Sequence, residues 1–331
     1  MPFTLPDVWT WDMWFADDGT DYHVFYLKAS RALGDPNRRH FHVTIGHAIS
    51  DDLRTWQEVP DALIVSDEPA FDDYTTWTGS VVRDDDGEWR MFYTGTSRTE
   101  TGVVQRIGAA SSPDLYSWTK RDGAVTEADP RWYEKFGSGQ WFDEAWRDPW
   151  VYRDADRWHM LITARANTGD ADNRGVIGHA TSTDLDTWTV QPPLSASGAG
   201  FGQLEVPQLA TIDQRQVLIF SCLTNEMSSA RRIDGGGGVW AVTIDDPNGP
   251  FPIDRAVRLT DESLYAGRLI QHRSGHWFLF AFHHVDADGE FVGALSDPIP
   301  VSWGSDGDLR VTDGRFDHLR THAPAAQPSS N

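Results

Sequence analysis

Three acidic residues sit among aromatic and apolar neighbours in related contexts: Asp12 in VWTWDMWF, Asp148 in EAWRDPWVY and Glu205 in GQLEVPQLA. Carboxylates are seldom kept in such surroundings without a partner or a task. The three share a phase. Asp12 lies 10 residues before Tyr22, Asp148 lies 10 before Trp158, and Glu205 lies 12 before Val217; each of those residues belongs to a strand-like segment. A pair of carboxyl groups, one protonated to release a leaving oxygen and one ionised to face the anomeric carbon, is what glycosidic chemistry requires. Proximity and partial desolvation drive the pKa values of such groups apart. Trp11, Trp14 and Trp77 offer flat apolar faces for the C–H side of a sugar, and Arg147 and Arg268 can donate to hydroxyls or hold a carboxylate ionised. Ser80, Gln203 and Tyr265, beside or in phase with these residues, complete the candidate substrate-binding set.

The elements that must position these groups recur along the chain. IGHAISDDLRTW (45–56), IGAASSPDLYSW (107–118) and IGHATSTDLDTW (177–188) share one pattern, read as a strand, a polar turn and a Trp opening the next strand. A weaker copy, FVGALSDPIPVSW, begins at Phe291. Five further segments rich in aromatic and β-branched residues, YHVFYLKA, EWRMFYTG, RWHMLITA, RQVLIFSC and HWFLFAFH, recur roughly every 60 to 70 residues and read as strands. A period this long, with about four short strands per unit and almost no helix, describes propeller blades. A β-sandwich with accidental similarities is the alternative, and three recurrences of one pattern speak against it. The expectation is an all-β chain: a single five-bladed β-propeller with four-stranded antiparallel blades over residues 1–320, and a loose tail over 321–331. Inner strands converge on the axis, so the three acids are expected to meet in a central funnel.

Composition narrows the partners. The 331 residues carry 50 acidic and 28 basic side chains, a formal charge of −22. With no run of Lys and Arg, neither nucleic acid nor an anionic membrane is an expected partner, and a neutral small carbohydrate fits better than a polyanion. The single cysteine, Cys222, excludes an intrachain disulfide framework and reads as a buried thiol. No apolar run of 18 residues occurs, and MPFTLPDVWTWD lacks the basic and apolar regions of a signal peptide, so a cytoplasmic location is expected. No cofactor and no metal are expected. Gly235–Gly238 lacks the Lys-Ser/Thr of a phosphate-binding loop. His40 and His42, read as alternating on a strand, and the adjacent His283 and His284 lack a third ligand, and are read as structural or exposed. Glu134 and Gln140 are placed in a rim loop; Glu144 is placed against Arg147 or at the outer pocket.

The ordered blocks WTWDMW, WTGS, WRDPW, LEVPQL and LYAGRL resemble glycoside hydrolase families 32 and 68, the β-fructofuranosidases and levansucrases of clan J. These belong to a five-bladed furanosidase superfamily that also includes family 43. The resemblance spans about residues 7 to 300. It implies that Asp12 is the nucleophile, that Asp148 of the Arg-Asp-Pro block holds sugar hydroxyls and stabilises the transition state, and that Glu205 is the acid/base. The implied activity is retaining hydrolysis or transglycosylation of β-fructofuranosides by double displacement, with a bell-shaped profile around mildly acidic pH. The opening Trp-Asp-Met-Trp is nearer the family 68 form, Val206 replaces the usual Cys or Arg after the acid/base, and no C-terminal β-sandwich is expected. An inverting arabinofuranosidase or xylosidase like those of family 43, and a non-catalytic sugar-binding propeller, are the alternatives.

Overall fold

The computed structural model describes residues 2–138, 141–232, 236–312 and 314–316, which form five antiparallel sheets arranged as propeller blades. Blade one holds β1 (Val8–Asp17), β2 (Tyr22–Ser30), β3 (Thr44–Ser50) and β4 (Gln57–Leu63). Blade two holds β5 (Thr75–Arg83), β6 (Trp89–Thr96), β7 (Gln105–Ser112) and β8 (Thr119–Lys120). Blade three holds β9 (Trp146–Arg153), β10 (Trp158–Arg165), β11 (Gly175–Ser182) and β12 (Thr189–Gln191). Blade four holds β13 (Glu205–Ile212), β14 (Arg215–Cys222), β15 (Gly238–Ile244) and β16 (Val257–Arg258). Blade five holds β17 (Leu264–Gln271), β18 (Trp277–Val285), β19 (Phe291–Leu295), β20 (Ile299–Trp303) and β21 (Leu309–Val311).

The repeat pattern has a physical basis at each of its fixed residues. Gly46 and Gly108 lie opposite Tyr26 and Tyr93, and a Cβ at either position would sit 2.6 or 2.7 Å from the facing ring. Asp52, Asp114 and Asp184 each accept two backbone N–H groups two and three residues on, which closes the turn. The next residue, Leu53, Leu115 or Leu185, takes a left-handed φ of 59°, 67° or 63° and is buried. That conformation is unfavourable for a leucine, and burial of its side chain offsets the cost. The indole N–H groups of Trp118 and Trp188 then donate to the carbonyls of Leu115 and Leu185.

Blade five departs from the four-stranded pattern. Its third strand is split: β19 pairs with one half of β18 and β20 with the other. Ser296-Asp297-Pro298 interrupts it, and Pro298 and Pro300 have no N–H for a continuous ladder. The ring closes where this blade meets blade one. Phe3 bridges Leu295, and Arg31 donates to the carbonyls of Val292 and Gly293. Among the described residues no helix is long and apolar enough to cross a membrane. Cys222 is buried on β14. The tail over 321–331 and residues 317–320 lie outside the described residues.

Candidate active site

All five inner strands break register against their neighbours at the same height. The irregularity falls between Trp11 and Met13, between Trp77 and Gly79, between Glu205 and Gln208, and between Tyr265 and Arg268; in blade three it lies opposite Leu161–Thr163. These are bulges, which bend a strand and re-aim its side chains. Four of them carry a non-glycine residue with positive φ: Asp12 (28°), Asp148 (57°), Val206 (54°) and Ala266 (52°). The residue before each bulge, Trp11, Trp77, Arg147, Glu205 or Tyr265, lines one cavity of about 340 Å³. The bulged residues Asp12, Thr78, Asp148 and Val206 line it too, so the funnel receives two side chains from most blades.

Eight of the eleven candidate residues meet in this cavity: Asp12, Asp148, Glu205, Trp11, Trp77, Arg147, Gln203 and Tyr265. The other three do not line it, and all occupy the same position, two residues after the bulged one. Trp14 is fully buried in the core and stacks on Phe25. Ser80 is buried and accepts the backbone N–H of Val151 at 3.2 Å. Arg268 is buried and donates only to backbone carbonyls among the contacts described. Glu205 is itself one residue out of step with the aspartates: it precedes its bulge, as Trp11 and Arg147 do, while Asp12 and Asp148 are bulged residues.

Arg147 organises one wall. Its Nη2 donates to Glu205 Oε1 at 2.6 Å and to Gln203 Oε1, and its Nη1 donates to Gln105 Oε1 at 3.1 Å. Asp143 and Asp148 each lie 3.6 Å from its guanidinium. Tyr265 donates its hydroxyl to Glu205 Oε2, so both oxygens of Glu205 carry a donor. Asp148 accepts from Thr163 Oγ1 at 2.8 Å and from the Val206 N–H at 3.2 Å, a donor that the blade-four bulge turns toward blade three. Thr78 Oγ1 donates to Asp12 Oδ2.

The electrostatics of Asp12 differ from the sequence expectation of an ordinary ionised nucleophile. Burial first, then repulsion from Asp148 and Glu205, pushes its pKa up to about 7; the Thr78 bond and the Arg268 charge oppose that rise. Burial also raises Asp148, with Arg147 pulling it down. Glu226 is raised to about 8, by burial and then by Glu205.

Several lining residues have no counterpart in the candidate set. Arg39, His40 and Phe41 come from a 3-10 helix, Pro36–Phe41, where a strand carrying His40 and His42 is expected from sequence. The His40 carbonyl accepts the Trp77 indole N–H at 2.8 Å, and burial holds its imidazole neutral, with a pKa of about 3. His284, read as structural or exposed, also lines the cavity, as do Gln105, Asp143 and Glu226. Phe41 and Phe142, 39% and 65% exposed, line it as well. Glu134 is no rim residue: it is buried and paired with Arg165 and Arg174. Glu144 is buried against Lys135 and the Phe136 N–H, with no bond to Arg147 among those described. Gln140 lies outside the described residues. No cluster of metal-ligating side chains occurs among the described residues.

Comparison with known proteins follows the same lines. The family model described as the glycosyl hydrolases family 32 N-terminal domain matches residues 14–289. A sucrose-6-phosphate hydrolase of Escherichia coli is 30% identical over 216 residues, which cover 63% of this chain and 39% of that protein. A 6(G)-fructosyltransferase of Asparagus officinalis is 28% identical over 219 residues, covering 64% of this chain and 33% of that protein. The matched region therefore spans about a third to two fifths of these relatives. In fold, the chain is similar to an inulosucrase from Halalkalicoccus jeotgali solved with kestose, with a TM-score of 0.78 at 22% identity over 93% of this chain and 88% of that one.

Proposed function

The chain belongs to glycosyl hydrolase family 32, and from that premise we propose that it cleaves β-fructofuranosides with retention of configuration. The observation that carries this reading is the meeting of Asp12, Asp148 and Glu205, from three blades, in one cavity walled by Trp11 and Trp77. Asp12 attacks the anomeric C2, the C2–O bond breaks, and Glu205 gives its proton to the departing oxygen. Each Glu205 oxygen accepts one donor in the free site, from Arg147 or Tyr265, and keeps a second lone pair for the catalytic proton. In the second half-reaction Glu205 takes a proton from water, or from a sugar hydroxyl, as that oxygen attacks C2 and the bond to Asp12 breaks. Asp148, fixed by Thr163 and the Val206 N–H, accepts hydroxyls of the fructosyl ring, and these bonds strengthen as the ring flattens.

The lining charges favour an unphosphorylated substrate. Five carboxyl groups, Asp12, Asp143, Asp148, Glu205 and Glu226, face Arg39 and Arg147, and Glu226, with a pKa of about 8, is neutral at pH 7. Arg147 is engaged by Glu205, and Arg39 donates to the Pro36 carbonyl with its guanidinium 3.9 Å from the centre of the Phe291 ring. Both arginines are thus already engaged, and the ionised acids beside them disfavour a phosphate dianion. The test is product analysis with sucrose, sucrose 6-phosphate, inulin- and levan-type oligosaccharides, and aryl arabinofuranosides and xylosides, with Asp12→Asn as control. Fructose release or transfer that the control loses supports the reading. Arabinose or xylose release with inversion, or binding without turnover, overturns it.

A further inference from the structure

Arg268 has the chemistry of a site residue and the position of a floor. It projects from blade five beneath the cavity and reaches across the propeller axis. Its Nε donates to the Met13 carbonyl at 3.2 Å, its Nη1 to the carbonyls of Pro207 at 2.8 Å and Val206 at 3.4 Å, and its Nη2 to the Gly79 carbonyl at 3.3 Å. Its guanidinium carbon lies 5.2 Å from the centre of the Trp150 ring of blade three. One side chain thus touches the inner strands of the other four blades.

The carbonyls are not arbitrary. Met13 follows Asp12, Gly79 follows Thr78, which donates to Asp12, and Val206 and Pro207 follow Glu205. The fork of N–H donors therefore ties down the bulges that aim the nucleophile, its hydrogen-bond donor and the acid/base. A buried guanidinium is expensive to desolvate, and an apolar side chain would fill a floor at lower cost. Among the described residues no carboxylate lies within ion-pair distance of Arg268, so its charge has no direct partner there. Of the carboxylates above it, Glu205 and Asp148 face Arg147, and Asp12 has no cation at ion-pair distance among the described residues.

We propose that Arg268 is a positioning residue with two separable functions: its donor fork fixes the bulges bearing Asp12 and Glu205, and its charge, acting across the floor, favours the ionised form of Asp12 that attacks. The proposal rests on the reading of Asp12 as nucleophile. The mutual influence of Arg268 with Asp12 and Asp148 supports it: burial lowers the Arg268 pKa to about 10, and the two carboxylates oppose that fall. The other charged or titratable groups acting on Asp12 are Asp148 and Glu205, which oppose its ionisation, and Arg39, whose own guanidinium feels Asp12. His40 is neutral near neutral pH.

The test compares Arg268→Gln and Arg268→Lys in the full chain, with folding checked by circular dichroism and thermal melting. Two readouts are taken: the pH profile of kcat/KM on fructosides, and the carboxyl 13C titration of Asp12, its resonance identified by its loss in Asp12→Asn. Arg268→Gln should move the Asp12 midpoint and the acid limb of the profile to higher pH by about one unit. Arg268→Lys keeps the charge but loses the planar fork, so the midpoint should stay within about 0.3 unit while kcat falls about 10-fold or more. A folded Arg268→Gln with an unmoved midpoint overturns the electrostatic function. Full kcat in Arg268→Lys overturns the clamp, and that arm decides the proposal if Arg268→Gln does not fold. The 13C titration needs no turnover. A wild-type protein silent on every fructoside, with its Asp12 midpoint still shifting in Arg268→Gln, would defeat the functional reading and leave the charge coupling standing.

Discussion

Two kinds of place in the propeller use the same uncommon backbone conformation for different ends. In the outer turns, Leu53, Leu115 and Leu185 take positive φ, and the residue type repeats with the geometry. At the inner-strand bulges, Asp12, Asp148, Val206 and Ala266 take positive φ, and the residue type changes from blade to blade. The turn is a self-contained device: Asp closes it and Leu anchors it, so the same residues serve three times. The bulge is only an aiming device. Five register breaks at one height deliver different side chains to a common axis, and that variation, with the loop residues Arg39, His40 and Glu226, makes the site asymmetric.

The comparison breaks most visibly if a bulge residue proves replaceable. Asp12→Asn and Glu205→Gln should each lower kcat by at least about 10³-fold, read as the rate of fructose release with folding intact. A loss under tenfold in either would return the bulges to a structural role. The turns should respond in the opposite currency. Leu115→Ala removes a fully buried side chain and should cost about 2–4 kcal/mol in denaturant unfolding, with KM unchanged at temperatures where the variant is folded.

Asp12 also links the site to stability, with a sign that can be worked out. Its folded pKa of about 7 lies above the unfolded value of 3.8, so the folded protein binds the proton more tightly. This group therefore costs no stability below the unfolded value and progressively more as pH rises toward 7. Asp12→Asn should stabilise the protein by about 2 kcal/mol at pH 8, after allowance for solvent in the cavity, and by nothing near pH 3. The same shift places the acid limb of kcat/KM near pH 7, not at a mildly acidic optimum; paired thermal melts and rate profiles check both. The smallest effect belongs to the mouth. Phe142→Ala should raise KM about two- to fivefold for fructans longer than a disaccharide and leave sucrose nearly unchanged, as initial rates across a chain-length series would show.

What was legible from sequence follows the same division. Gly46, Gly108, Asp52, Asp114 and the leucines after them recur because backbone geometry demands their types, so the blade count and the five inner strands could be read directly. The acids were legible because carboxylates stand out among tryptophans, as Asp12 and Asp148 do, and in phase with them, as Glu205 does. Trp14, Ser80 and Arg268 were misplaced for one reason. A regular strand puts residues i and i+2 on the same face, and the bulges after Trp11, Trp77 and Tyr265 rotate the later residue away from the cavity. A register break of this kind leaves no mark in amino-acid type when the bulged residue is an aspartate or an alanine. Arg39, His40 and Glu226 reach the cavity from short 3-10 turns, which have no periodicity to detect.

The closure of the ring carries a consequence for how the chain folds. Strands within each blade are joined by local turns, yet the seam pairs Phe3 with Leu295, 292 positions apart in the chain. Contacts of such separation incur the loop-closure entropy that local hairpins avoid, so the blades should form before the seam does. Until it shuts, the flanks of blades one and five are without their partner surfaces. An open ring of that kind presents apolar faces and β19 to other copies of itself, and the concentration of protein during refolding should decide between closure and aggregation.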